Sequence, residues 1–217
     1  MSREAEILDG LYEHTLDGEA GPVVELTREG LDLGMEPLTL LFDALIPSLE
    51  EVGRLFEIGE YFVPEMLVAA RAMAGAMDIL KPLIAESGAK PIGTFVMGTV
   101  KGDIHDIGKN LVNIMLEGAG FEVVDLGVNV PPEKFIEAIE QHRPQAVGMS
   151  AFLTTTMPMF KTTIEAIAAA GLRDQVKILV GGAPVTQEYC EVVGADGFAT
   201  DASAAVRLTK QLIGIAD

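Results

Sequence analysis

The sequence is short of several things, and each shortage excludes something. It has one cysteine, Cys190, among 217 residues. That excludes an internal disulfide framework and any multi-thiolate metal site, and it fits a reducing compartment. Bases are scarce: 15 Lys plus Arg stand against 33 Asp plus Glu, a net charge of -18. A chain that acidic is not expected to take nucleic acid or an anionic membrane surface as its main partner. No run of about 18 apolar residues occurs, so no transmembrane helix is expected. The opening stretch, MSREAEILDGLYEH, is acidic and amphipathic, unlike a signal peptide, and a cytoplasmic location is expected. Tryptophan is absent and aromatics make up 6%, although 49% of residues are hydrophobic. Aliphatic side chains, alanine and the ten methionines must therefore fill the interior.

What is present falls into two halves. Residues 1–90 carry a net charge of -12 and residues 91–217 a net charge of -6. The hydrophobic period changes at the same place. In the first half Leu38, Leu41, Phe42, Leu45, Leu49, Val52, Leu55 and Phe56 recur at steps of three and four, one apolar helical stripe. Pro37 suits a first turn, whereas Pro47 predicts a kink or break. A second stripe runs Phe62, Met66, Ala69, Met73, Met77 and Leu80. Two shorter helices are predicted near 2–16 and 20–33, with Gly18 and Gly34 as terminators. Four helices with short connections predict an antiparallel bundle over residues 1–88.

The second half, 91–217, alternates. Short runs rich in β-branched residues stand at Ile92–Met97, Glu122–Leu126, Ala146–Ser150, Lys177–Val180 and Gly197–Ala199, with helical patterns between them. Five strand–helix repeats predict a parallel, doubly wound α/β sheet of the flavodoxin or Rossmann-like kind, with strand order 2-1-3-4-5. Glu86–Pro91, ESGAKP, reads as the linker.

In such a sheet ligands bind beyond the carboxyl ends of the strands. The first strand leads into Lys101-Gly102-Asp103-Ile104-His105-Asp106-Ile107-Gly108-Lys109-Asn110. The third ends in Ser150-Ala151-Phe152-Leu153-Thr154-Thr155-Thr156, and the fourth in Gly181-Gly182-Ala183. Strands 1, 3 and 4 are neighbours in the predicted order, so one ligand can touch all three loops. A phosphate loop is rejected: five residues separate Gly102 from Gly108 where four belong, and Asn110 replaces the magnesium-binding hydroxyl. No G-x-G-x-x-G follows the first strand, which argues against a dinucleotide. His105 has Asp103 two residues before it, a carboxylate able to fix its tautomer and raise its basicity as a ligand. One histidine cannot hold a bare metal ion. It can be an axial ligand to a metal already held by a macrocycle.

Asp103-x-His105-x-x-Gly108, then 41 residues, then Ser150, then 30 residues, then Gly181-Gly182, resembles the cobalamin-binding signature of methionine synthase and related corrinoid proteins. The resemblance covers about residues 35–215 and implies cobalamin, with its cobalt, as cofactor. It implies His105 as lower ligand of cobalt in place of the nucleotide base, Asp103 as its hydrogen-bond partner, and Thr156 completing the relay where that family has serine. It implies Ser150 beside the buried benzimidazole, and Gly181 and Gly182 leaving room for the nucleotide tail. Gly108, Leu153 and Thr154 complete the expected contacts in these loops, and Phe152 departs from the usual leucine. The segment from Glu51 to Met66 is similar to the helix pair that caps the upper corrin face, which places Phe56, Val63 and Met66 at the cofactor. Elsewhere, Thr154 or Thr155 is a candidate helix cap, Cys190 a buried helix residue, and His14 and His142 lack a partner pattern.

A bundle and one sheet domain account for all 217 residues. The chain is therefore expected to resemble the stand-alone methyltransferase corrinoid proteins of methylamine, methanol or methoxy-compound metabolism. The resemblance implies a non-catalytic methyl carrier. Cob(I)alamin accepts a methyl group from a substrate:corrinoid methyltransferase, and methyl-cob(III)alamin donates it to a corrinoid:carrier methyltransferase acting on a pterin or thiol. A reductive activation protein is a further expected partner, and Ser87–Pro91 the expected hinge. The alternative is a cobalamin-dependent sensor module. A mutase small subunit and a receiver-like domain fit less well.

Overall fold

The structure, a computed structural model, describes residues 2–86 and 91–215, without the side chains of Glu57, Ala85 and Glu86. Of the expected linker only Glu86 and Pro91, and of the expected hinge only Pro91, fall among the described residues. The chain forms two compact units, one of Met1–Lys90 with Gly118–Gly120, the other of Pro91–Glu117 and Phe121–Asp217.

The first unit is helical. α1 (Arg3–Leu16) is capped by the Ser2 side chain, and α2 (Ala20–Asp32) follows the left-handed Gly18. A longer helical stretch begins with Pro37 in the first turn of α3 (Pro37–Leu40), widens into a π turn over Leu41–Leu45, and continues as α4 (Ile46–Glu57). Pro47 explains the π turn: its ring would collide with the carbonyl four residues back, and the wider turn relieves that contact without ending the helix. The expected break is thus a change of helical pitch. α5 (Val63–Glu86) closes the unit.

Ile7, Leu11, Leu40, Leu45, Leu49, Val52, Met66, Ala69, Met73 and Leu80 are buried in it. Its core is aliphatic and methionine-rich, as the aromatic shortage requires. Ser48 is also buried, its hydroxyl donating to the Tyr12 carbonyl in α1 at 2.8 Å. Two members of the predicted stripes are corrected. Phe42 and Phe62 are exposed, at 47% and 62%. Phe42 lies within the π turn, where the 3.6-residue period does not apply, and Phe62 precedes α5.

The second unit is a five-stranded parallel sheet in the order β2-β1-β3-β4-β5, as the alternation predicts. β1 is Thr94–Thr99, β2 Glu122–Asp125, β3 Ala146–Ser150, β4 Lys177–Gly181 and β5 Gly197–Phe198. The central strands are nearly all buried, the signature of a sheet covered on both faces. The covering helices are α6 (Ile107–Gly118), α7 (Pro132–His142), α8 (Pro158–Ala169), α9 (Gln187–Val193) and α10 (Ala202–Ile213). Phe95, Phe135 and Phe160 are wholly buried here, and Cys190 is buried in α9.

Candidate functional site

Register brings the three unusual loops together. Thr99 of β1 pairs with Ser150 of β3, and Ser150 pairs with Gly181 of β4. The three strands therefore end side by side. Two backbone bonds continue this alignment into the loops, Val100 N–H to Ser150 O at 3.0 Å and Ala151 N–H to Gly181 O at 3.1 Å.

Asp103 is the centre of the site. Its side chain is wholly inaccessible to solvent, yet it accepts five hydrogen bonds. Oδ1 accepts from the backbone N–H of His105 at 3.1 Å and faces His105 Nδ1 at 2.7 Å. Oδ2 accepts from the backbone N–H groups of Phe152 at 2.8 Å and Leu153 at 3.2 Å, and lies 2.7 Å from the Thr156 hydroxyl. Burial pushes the Asp103 carboxyl up, but the bonds from the His105 backbone, Thr156, the His105 ring and the Phe152 backbone outweigh it. The group is held well below the usual carboxylate range, ionised at any ordinary pH. An ionised carboxylate only accepts, so the proton it shares with His105 sits on Nδ1. That leaves the Nε2 lone pair free. Nε2 makes no hydrogen bond among the described residues, and the His105 side chain is 45% exposed.

Thr156 has one proton and two acceptors, Asp103 Oδ2 at 2.7 Å and Leu153 O at 2.8 Å. It serves one at a time. The Thr156 residue is buried, and its bond is to Asp103, so it acts on His105 only through the carboxylate.

Further residues hold the loop after β1. The Thr99 hydroxyl donates to His105 O at 2.9 Å. Asn129, in the left-handed region at φ 54°, accepts from Gly102 N–H through Oδ1 at 2.7 Å and donates its own N–H to Asp103 O at 2.8 Å. Lys109, with a nearly inaccessible amino group, bonds Asp125 and Asn110 at 2.6 Å each and ties the start of α6 to the end of β2. The sequence reading missed Thr99 and Asn129. The one available signal for Asn129 was an asparagine in a turn, a residue that tolerates φ above zero.

The glycines separate into two kinds. A Cβ on Gly182 would overlap the Ala151 carbonyl oxygen, and its φ of 128° is closed to other residues. The protein's own backbone thus requires Gly182, a constraint additional to the expected room for a nucleotide. Gly108 differs: a Cβ there meets nothing within 4 Å. At Gly181 it meets only Ala199 O, at 3.9 Å. Neither bareness is needed for internal packing, since an added Cβ would meet open space at Gly108 and only an ordinary contact at Gly181. The same loops carry exposed apolar side chains, Ile104 at 73%, Ile107 at 67%, Phe152 and Leu153. A histidine offering a free Nε2, set among exposed apolar groups and bare glycines, suits a large, flat, partly apolar group that brings its own metal. Among the described residues no three His, Cys, Asp or Glu gather to hold a bare ion.

The other expected residues occupy varied settings. Ser150 is half-buried at the end of β3 and Thr154 is exposed in the loop beyond it. The threonines do not cap α8, whose N-cap is Met157 without a side-chain bond. In the helical unit Phe56 is half-buried in α4 and Val63, first residue of α5, is 44% exposed. Met66 is wholly buried, a core residue of the bundle with no surface to offer a ligand. His14 does have a partner, Glu19, at 2.5 Å.

A parallel sheet whose first loop offers a histidine held by a buried carboxylate, beside bare glycines at the start of α6 and the end of the fourth strand, defines a cobalamin-binding protein. The B12 binding domain family matches residues 93–207, and a second B12 binding domain family matches residues 7–81. The chain is 41% identical to trimethylamine corrinoid protein 1 of Methanosarcina acetivorans, over 95% of this chain and 98% of that one. It is 39% identical to dimethylamine corrinoid protein 1 of the same organism, over 93% and 98%. Among solved structures it is similar to the cobalamin-binding protein of Desulfitobacterium hafniense, with TM-score 0.76, 33% identity and coverage of 94% and 98%. It is also similar to a chain of the methanol:cobalamin methyltransferase complex of Methanosarcina barkeri, with TM-score 0.83, 31% identity and coverage of 96% and 80%. The chain belongs to the B12-binding corrinoid proteins, and cobalamin is its cofactor.

Proposed function

We propose that the chain is a methyl carrier serving methyltransferases. It would receive a methyl group from a substrate:corrinoid methyltransferase and yield it to a second methyltransferase acting on a pterin or thiol carrier. The observation that carries this reading is the His105–Asp103–Thr156 arrangement, set in a chain similar over almost its whole length to trimethylamine and dimethylamine corrinoid proteins. Bound cobalamin supplies a cobalt centre that can hold a methyl group. The protein's residues do the rest. His105 would hold the cobalt through Nε2, with Asp103 keeping the proton on Nδ1. Gly108 and Gly181 leave space, and Ser150, Leu153 and Thr154 line the loop beside it.

The reading also assigns Phe56 and Val63 to covering the cofactor's upper face, supported by the sequence resemblance alone. It includes a reductive activation protein as a partner and a cytoplasmic location. Among the described residues no helix is long and apolar enough to cross a membrane.

The test is reconstitution. The protein is loaded with cobalamin, reduced, and offered methylamines, methanol and methoxy compounds with candidate methyltransferases. Methylation of the bound cofactor, followed by transfer to a thiol or pterin, is expected with one donor class. His105→Ala should still bind cobalamin but lose the spectral mark of nitrogen ligation. No methylation with any donor, or a His105→Ala spectrum equal to that of the wild type, overturns the reading.

A further inference from the structure

We propose that Phe152 is a positioning residue for His105, fixing the plane in which the imidazole meets the metal. This rests on the reading of His105 as the lower ligand. The two rings stack, with centroids 4.4 Å apart and planes 28° from parallel. The bond from Nδ1 to Asp103 Oδ1 pins the imidazole at one point, and a ring held at one point can still tilt about that contact. A flat surface against its face removes the tilt. Phe152 also donates its backbone N–H to Asp103 Oδ2 at 2.8 Å. One residue thus grips the carboxylate through its amide and the imidazole through its side chain.

Core packing does not account for this placement. Phe152 is 50% exposed, whereas Phe95, Phe135 and Phe160 are wholly buried, and unlike the other exposed phenylalanines, Phe42 and Phe62, it stacks on another ring among the described residues. In a chain with so few aromatics, one is set on the surface against the single histidine of the site. Leucine, the residue the related signature has here, matches the hydrophobicity but has no flat face to stack. An imidazole already restrained loses less freedom on bonding to the metal, so the ligated form is favoured.

The test uses the full chain with Phe152→Leu, Phe152→Ala and Phe152→Tyr. All keep the backbone amide, and Tyr also keeps the flat ring. In the cofactor-free protein, proton NMR of His105 should show its carbon-bound ring protons displaced upfield by the stacked ring. The displacement should vanish in the Leu and Ala variants and persist in Tyr. In the cobalamin-loaded protein, nitrogen splitting in the cobalt(II) EPR spectrum and the visible spectrum at one fixed pH give the ratio of histidine-ligated to unligated cofactor. That ratio should fall about threefold to tenfold in Phe152→Leu, the range aromatic stacking supplies, and hold in Phe152→Tyr. Unshifted ring protons in the wild type, or an unchanged ratio in Leu and Ala, overturn the proposal. His105→Ala run alongside separates the two readings. If it keeps the nitrogen splitting, His105 is not the ligand. If it loses the splitting while the Phe152 variants match the wild type, only the role of Phe152 fails. Near-ultraviolet circular dichroism of each variant checks the fold, and the Tyr variant decides the matter should the smaller side chains unfold the loop.

Discussion

Replacing Asp103 with asparagine removes one charge and turns one acceptor oxygen into a donor. The new side chain has one oxygen and one NH2 group, while every neighbour of Asp103 is a donor. If the NH2 takes the Oδ2 position it faces the N–H groups of Phe152 and Leu153, which cannot turn away. If it takes the Oδ1 position it faces the N–H of His105 and the imidazole Nδ1. The second arrangement costs less, because the imidazole can move its proton from Nδ1 to Nε2 and accept instead. One bond, from the His105 backbone, is then lost, and the others weaken from charged to neutral. At about 1.5–3 kcal/mol for a hydrogen bond to a charged group, the expected destabilisation is about 2–4 kcal/mol. The functional result is sharper than the loss of stability. A proton on Nε2 occupies the lone pair that would meet the metal, so Asp103→Asn should behave like His105→Ala while keeping the imidazole. Urea unfolding of the cofactor-free protein gives the first quantity, nitrogen NMR of His105 gives the tautomer, and cobalt(II) EPR gives the ligation. A variant as stable as wild type, with the proton still on Nδ1, refutes the reasoning. The pH dependence has a definite sign. The carboxyl is held down in the folded protein, so its contribution is complete above the ordinary aspartate value near ~3.9 and is lost as pH falls through the lower folded value. Below about pH 4 the wild type should therefore lose stability faster than Asp103→Asn, and the gap between them should narrow.

Gly108→Ala meets no atom within 4 Å and suits a helix better, so the cofactor-free protein should gain up to about 1 kcal/mol while cobalamin affinity falls. Unfolding and cofactor titration check both arms; unchanged affinity would show that the open space is not used. Gly182→Ala should lose more than about 3 kcal/mol, seen as a large drop in the unfolding midpoint even without cofactor, because Ala151 is in the way. Lys109→Met should cost about 1–2 kcal/mol in the same unfolding assay, since it removes the bonds to Asp125 and Asn110 but leaves the half-exposed Asp125 solvated.

Much of the sheet unit was legible because its signals are local. Strand and helix periods alternate, the order β2-β1-β3-β4-β5 comes with the parallel doubly wound form, and Asp103 and His105 are two residues apart. Thr156 came from the resemblance, since 53 residues of chain separate it from its partner. What was not legible depends on tertiary position. Asn129 supports the histidine loop from 26 residues away and is marked in sequence only by its tolerance of a left-handed turn. Lys109, weighed only as part of a phosphate loop, is a buried ion-pair partner instead. Periodicity puts Phe42 and Phe62 on apolar stripes but has no means of showing that Phe42 falls within a π turn and Phe62 ahead of α5. The backbone constraint on Gly182 is equally invisible in sequence, because Ala151, its neighbour across the strand ends, imposes it.

The π turn at Leu41–Leu45 makes chain length a dial. One residue more or fewer between Pro37 and Pro47 turns everything downstream in that helix by about 100° while leaving its axis in place. Phe56, near the end of α4, would swing to another side of the bundle although no residue in α4 had changed. Between relatives, a single insertion or deletion here would thus redirect the surface the helix presents, and a comparison scored on residue identity would pass over it.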